Sequence, residues 1–260
     1  MKLAIIGTGK MGGAIMTGAL KAGALKPEDI GIFDANTQLT AQLEEELGVK
    51  VLNESNLNQA ERVLIAVKPQ IFELVAPLIA GKYKSYLSIM AGTTIQTISE
   101  SIDSKRVIRH MPNLGASVGK SATALASSKE STEEDFNFAK TLFSSIGKVY
   151  PMNENLIDAF TGLAGSSPAF VAVFAEALAD AGVRMGFSRD MAKDIAQQVI
   201  AGTAAILANK NPADLKDEVS SAGGTTIAGI KALEKNSFRH TIMQAVEDAT
   251  NRGKELGKKS

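Results

Sequence analysis

Two stretches of this sequence have residue types and spacing suited to holding an anion. "GTGKMG" sets Gly7, Gly9 and Gly12 around Thr8, Lys10 and Met11. "VSSAGGTTIAG", Val219–Gly229, is wholly uncharged in a chain that is 22% charged. In the first, Gly7 suits a tight turn, Gly9 lets backbone approach a pyrophosphate, and Gly12 lets a helix pack close to a strand. In the second, Gly223 and Gly224 free the backbone just before a helix that starts near Thr226. Ser221, Thr225 and Thr226 add hydroxyls with no competing negative charge. Successive N–H groups at such a helix start make a nest for a carboxylate. A Ser/Thr-capped helix with a flexible lead-in explains one hydroxyl but not the whole run.

Gly9-Lys10 raises the alternative of a P-loop. That motif needs glycine where Ala4 stands and Ser or Thr where Met11 stands, which sets ATP and GTP aside. Asp34 ends the second strand, roughly 20 residues past the glycines, where an acid bonds the ribose diol of NAD and repels the extra phosphate of NADP. No arginine follows in "DANTQ". This corner leans toward NADH, with a turn or cap aspartate as the competing reading. The chain has no cysteine, so disulfides, thiolate catalysis and zinc–thiolate sites fall away. Its two histidines, His110 and His240, lack metal-ligand spacing and read as structural; no metal is expected. Lys68 precedes Pro69 with no base beside it, and reads as a strand-end residue and not as a nucleophile. "EEE" at Glu44–Glu46 and "EED" at Glu133–Asp135 read as solvated helix faces.

These residues need elements that bring strand ends and helix starts together. "KLAII", "IGIFD", "KVL", "RVLIAVKP", "SYLSIMAG" and "RVIRHMPN" read as strands with helical segments between them. That alternation predicts an α/β fold, an N-terminal Rossmann-like doubly wound parallel sheet. Ala66, Val67, Lys68 and Pro69 end a strand, where such sheets bind ligands. After Pro151 only helical periodicity remains, over Leu156–Gly182, Arg189–Lys210, Thr226–Lys235 and Phe238–Leu256, with a short helix opening at Pro212. The expected domains are therefore 1–151, binding a dinucleotide, and 152–260, an all-helical domain for substrate and dimerisation. The tail "GKELGKKS" reads as a frayed, charged end.

Composition narrows the partners. The chain has 28 basic and 28 acidic residues among 260, a formal net charge of zero, which argues against nucleic acid. The longest uncharged stretch, Ala159–Ala175, is shorter and more polar than a membrane span. The N-terminal segment lacks the features of a signal peptide. No membrane partner is expected, and the location expected is cytoplasmic. "AFTGLAGSSPAFVAVFAEALADAG" is apolar around most of its circumference, which calls for burial on several sides. About 110 residues make only a thin helical layer, so a homodimer through the helical domain is expected, with a larger assembly of dimers left open. Packing of that helix under the first domain is the plainer alternative.

With these motifs in place, the chain resembles the pyrroline-5-carboxylate reductases over essentially its whole length. The resemblance is carried by "GTGKMGGA", "AVKPQ" (Ala66–Gln70), "SIMAG" (Ser88–Gly92), "RHMPN" (Arg109–Asn113), "TGLAGSSPAF" (Thr161–Phe170) and "SSAGGTTIAGIKALE" (Ser220–Glu234). Many dehydrogenases share the first; the last two, in this order, are specific. The chain departs from the family pattern at Ala222, usually proline, at Phe170, usually tyrosine, and in "NLGA", commonly "NTPA". Such a resemblance implies reduction of 1-pyrroline-5-carboxylate to L-proline by hydride transfer from NADPH or NADH, the last step of proline biosynthesis. NADPH is often the family's preference. It implies that Ala66, Val67, Lys68 and Pro69, with Ile89, Met90 and Ala91, line the nicotinamide, and that Asn53 lies near the adenosine ribose. It implies that Ser221, Gly223, Gly224, Thr225 and Thr226 hold the substrate carboxylate, with Thr226 the catalytic residue beside the imine nitrogen. Two other functions stay open: a related imine or β-hydroxyacid oxidoreductase, for which Lys193 or Lys210 is a base by position only, and a non-enzymatic dinucleotide sensor, which has no need of "SAGGTT".

Overall fold

Leu3–Ile6 forms β1, and all four side chains are buried, as an aliphatic run covered on both faces should be. The structure, a computed structural model, describes residues 1–257. After β1 come α1 (Lys10–Lys21), β2 (Ile30–Phe33), α2 (Thr37–Leu47), β3 (Lys50–Val51), β4 (Arg62–Ile65), α3 (Pro69–Ile79), β5 (Ser85–Ser88) and α4 (Ile95–Ile102). Then follow β6 (Val107–Met111), β7 (Ser121–Ser127), α5 (Glu133–Ser144) and β8 (Gly147–Pro151). The remainder is helical: α6 (Ile157–Phe160), α7 (Ser167–Arg184), α8 (Arg189–Leu207), α9 (Pro212–Glu218), α10 (Thr225–Lys235) and α11 (Phe238–Gly257). The strands lie in the order β3-β2-β1-β4-β5-β6-β7-β8. Each neighbouring pair is parallel except β6 with β7.

The chain divides into two compact units, one of Met1–Gly165 with the chain from Asp248 onward, the other Ser166–Glu247. In the first, alternate strand residues feed two cores. Leu3, Ile5, Leu64, Leu87 and Ile108 pack with Ile15, Met16 and Ala19 of α1 and Leu142 and Phe143 of α5. Ala4, Ile6, Val63, Ile65, Tyr86 and Val107 pack with Phe72, Val75 and Ile79 of α3 and Ile98 and Ile102 of α4. The division falls at Gly165 and not near Pro151 because residues past the last strand still pack on the sheet: Ile157 is buried with Met111 and Ala124. The last turns of α11 return here too, with Gly257 against Gly92. The charged tail is thus helical as far as Gly257; its last three residues lie outside the described residues.

Two strands were not expected. β7, "SATALAS", is made of small residues with little strand propensity, and β8, "GKVYP", is a short edge strand bounded by Gly147 and Pro151. The single helix expected over Leu156–Gly182 is instead interrupted by a π-helical segment at Thr161–Gly165. Pro168 has no N–H to donate to Ala164 O four residues back. Asn113 Nδ2 donates to that carbonyl instead, at 2.9 Å.

In the second unit α7 and α8 meet through small side chains, Ala179, Ala192 and Ala196, which are its buried core. A Cβ on Gly182 would stand 2.9 Å from Ala192 Cβ, so the two helices are as close as their backbones allow. Val173, Met185 and Met243 are 66%, 71% and 64% exposed, leaving much of the apolar surface outward. The helical run Glu154–Arg184, 31 residues, contains an 18-residue window of mean hydropathy 1.4 and is by length and composition alone sufficient to cross a membrane, although Ala159–Ala175 taken alone is too short.

Candidate functional site

β1 pairs with β2 on one side and β4 on the other, so the strand order reverses there. At such a switch point the loops beyond the strand ends diverge and leave a crevice for a ligand. Gly7 follows β1 with φ +96°, a conformation side chains rarely adopt, and a Cβ on it would stand 2.7 Å from Ala66 O. A Cβ on Gly12 would stand 2.1 Å from Gly7 O and 3.2 Å from Ala66 Cβ, so α1 lies directly on the turn and on the end of β4. Gly9 differs: a Cβ there would meet nothing within 4 Å. It is the N-cap of α1, no side chain caps that helix, and its first turn has no acid. The leading N–H groups of α1 are therefore left for an outside acceptor, beside open space. These residues fit a dinucleotide pyrophosphate.

Ala66 N bonds Ile6 O at 2.8 Å, and Ile89 N bonds Ile65 O at 3.1 Å, so both segments leave the sheet at the same edge as the glycine turn. Lys68 is the exposed N-cap of α3 and Pro69 its first residue, again without a side-chain cap. Met90 is buried and Ala91 exposed. Asn53 lies exposed past β3, its Oδ1 accepting from Ser55 N at 3.0 Å and Ser55 Oγ at 2.6 Å. By contrast, α2, α4, α5, α8 and α9 are each capped by a side chain, from Asn36, Thr94, Thr132, Ser188 and Asn211.

Asp34 departs from its expected setting. Its Oδ2 accepts from Thr8 N at 2.7 Å and Thr8 Oγ1 at 3.1 Å, and its Oδ1 accepts from Asn36 N at 2.9 Å. These contacts fit the turn-aspartate alternative, and they engage the same carboxylate on which the leaning toward NADH rests.

The second stretch belongs to the other unit. α10 starts at Thr225, one residue before the expected start, with Gly224 as N-cap, no side-chain cap and no acid in the first turn. None of the run's hydroxyls caps the helix, so the capped-helix alternative does not describe it. Among the described residues, Ser221, Thr225 and Thr226 hydroxyls have no hydrogen-bond partner. Gly223 has φ +69°, and a Cβ on Gly224 would stand 2.3 Å from Ser221 Oγ. Gly224 N bonds Ser221 O at 3.1 Å, closing the turn without the proline that Ala222 replaces. Two uncapped, acid-free, glycine-led helix starts thus stand at the two places that pattern alone singled out.

Sequence reasoning passed over two supporting contacts. Asn113 holds the carbonyl freed at the π-helical segment; a proline four residues beyond Ala164 is the signal that could have found it. Buried Arg109 reaches Glu154 Oε1 with Nη1 at 3.2 Å, and the same oxygen accepts from Ile95 N at 2.6 Å. Glu154 thereby ties the start of α4, just past Ala91, to β6. His110 is fully buried in β6 and stacked on Phe143 with ring centroids 3.9 Å apart. Burial pushes its pKa down to about 3, so it stays neutral and gives no proton to a substrate. "EED" is a solvated face only in part: Glu133 and Glu134 are exposed, but Asp135 is buried, bonding Arg106 Nε at 2.9 Å and lying 3.6 Å from Arg62 Nε.

Comparison with known proteins gives two family matches. Residues 154–256 match "pyrroline-5-carboxylate reductase dimerisation", and residues 2–92 match "NADP oxidoreductase coenzyme F420-dependent". Over its full length the chain is similar to the pyrroline-5-carboxylate reductase of Thermus thermophilus, 48% identical over 99% of both chains. Among solved structures it is similar to the Coxiella burnetii pyrroline-5-carboxylate reductase, with TM-score 0.91 and 27% identity over 98% of each chain. The Plasmodium falciparum pyrroline carboxylate reductase, solved with NADP bound, has TM-score 0.84 and 30% identity over 99% of this chain and 98% of its own.

Proposed function

The chain belongs to the pyrroline-5-carboxylate reductase family, and from that premise we propose how its two glycine-led, uncapped helix starts divide the work. It reduces 1-pyrroline-5-carboxylate to L-proline with NAD(P)H, closing proline biosynthesis. A bound nicotinamide supplies the hydride. The start of α1, with Gly7, Thr8, Gly9, Lys10, Met11 and Gly12, holds the pyrophosphate of that cofactor. Ala66, Val67, Lys68 and Pro69, with Ile89, Met90 and Ala91, border its nicotinamide end, and Asn53 lies toward its adenosine end.

Ser221, Gly223, Gly224 and Thr225 hold the substrate carboxylate on backbone N–H groups. Thr226, one residue further into α10, turns its free hydroxyl to the imine nitrogen. A protonated imine is already electrophilic, so Thr226 orients and relays a proton and no stronger acid is needed. The observation that carries this division is a glycine N-cap, with neither a side-chain cap nor a first-turn acid, on both α1 and α10.

The chain forms a homo-oligomer through its C-terminal helical region. A dimer is the unit we propose, with any larger assembly built from dimers, in the cytoplasm. Gly9→Val tests the cofactor site. The added side chain has room in the fold, so the protein should fold and associate as before while NADH and NADPH binding is lost; undiminished binding contradicts the assignment.

A further inference from the structure

We infer that Asp34 is a positioning residue for the dinucleotide turn, serving NADH and NADPH alike, and not a reader of the adenosine ribose. This role rests on the assignment of the turn to a dinucleotide and deepens it. A carboxylate offers about four lone-pair sites, and Asp34 spends three within the chain, two on Thr8 and one on Asn36 N. One site remains, so a ribose diol bound through both hydroxyls would have to displace at least one of these charge-assisted bonds, which are the stronger kind.

Thr8 is buried and Asp34 half-buried, so losing the carboxylate would take from the Thr8 N–H its charged acceptor at a partly covered site. Thr8 also stands immediately before Gly9, the N-cap of α1. The Asp34 bond therefore fixes the direction from which the chain enters the helix that takes the pyrophosphate. The pyrophosphate is common to both cofactors; the 2′-phosphate is not. The residues that follow, "ANTQLT", offer neither a cation for a 2′-phosphate nor a second acid against it. A brace on the shared group predicts a loss that both cofactors feel equally.

The test is calorimetric titration of NADH and NADPH, separately, into the cofactor-free protein. Asp34→Asn keeps the size but turns one acceptor into a donor, leaving either Thr8 N–H or Asn36 N–H unpaired. Both dissociation constants should rise by the same factor, about tenfold or more, with their ratio kept within about twofold, as expected for losing a bond to a charged group. Thr8→Val, which removes only the Oγ1 bond, should raise both by a smaller shared factor, and Thr8→Ser should restore wild-type values. Thermal melting of each cofactor-free variant verifies that it is folded, and kcat at saturating cofactor should hold while KM rises. Weaker NADH binding with NADPH unchanged or tighter would show that Asp34 reads the ribose and overturn the inference. Unchanged affinity for both in Asp34→Asn would overturn it as well. A wild-type protein that bound neither dinucleotide would instead remove the cofactor assignment itself.

Discussion

The sharpest expectations belong to single residues in the loop before α10. On the proposed reading, Thr226→Ala keeps the backbone nest but removes the hydroxyl assigned to the imine nitrogen. Its kcat should fall by roughly one to three orders of magnitude, the scale for one positioned polar group, while Thr226→Ser retains most activity. Gly224→Val should raise KM for the substrate sharply, because on the proposed reading a side chain there blocks the close approach of the carboxylate to the backbone and displaces Ser221 Oγ; steady-state kinetics reads both. His110 gives a pH signature unrelated to catalysis. Its folded pKa, about 3, is below the roughly 6.5 of an exposed histidine. The unfolded chain therefore binds a proton that the folded chain refuses, so this contribution is intact above pH ~6.5 and is lost as pH falls toward 3, at up to about 1.4 kcal/mol per pH unit. His110→Phe should flatten that acid limb in denaturation curves taken across the range. At this scale Gly7 and Gly12 were legible because backbone collisions exclude a side chain at both. Asp34 was not, because an acid after the second strand serves a ribose and a turn equally well until its donors are seen.

The elements were legible wherever both faces of a strand are aliphatic, as in β1 and β4, and illegible where small residues pack at the sheet's far side, as in β7. The break before α7 could have been anticipated from Gly162, Gly165 and Pro168, but strong apolar periodicity concealed it. Asp135 escaped for a related reason: it shares its sequence neighbourhood with two solvated glutamates, yet stands where α5 meets the starts of β4 and β6. It accepts from Thr132 N at 3.1 Å and Thr132 Oγ1 at 2.9 Å as well as from Arg106. Burial raises its pKa, and the bonds from Arg106 and Thr132 outweigh that, holding it below the usual carboxylate value. Asp135→Asn weakens the bonds from Arg106 and removes one of three carboxylates around Arg62, which keeps Glu61 and Glu134; it should cost about 1–3 kcal/mol, the scale for a hydrogen bond to a charged group, measured by urea unfolding of the cofactor-free protein. Cofactor affinity should be kept in the folded fraction, since these residues stand at the opposite ends of the strands from the glycine turn.

For the whole molecule, the second unit has only alanines at the heart of its core, with Val173, Phe187, Met191, Ile195 and Val199 exposed. An exposed apolar surface of this kind marks an interface, in line with the second copy expected from the helix's apolar circumference and with the dimerisation family matched over 154–256. Val173→Asp should weaken association and yield smaller species in sedimentation analysis at micromolar concentration, leaving the sheet's fold intact. The function was legible because two glycine-led stretches far apart in the chain each suit an anion, on the proposed reading a pyrophosphate and a carboxylate. The most direct measurement of the account is turnover by the purified protein: 1-pyrroline-5-carboxylate supplied with NADPH or NADH, with cofactor oxidation and product stereochemistry followed together. The account predicts saturable, substrate-dependent oxidation of cofactor with L-proline formed in equal amount, and its collapse in both Gly9→Val and Thr226→Ala. A protein that binds the dinucleotide but oxidises none of it when 1-pyrroline-5-carboxylate is added would contradict it.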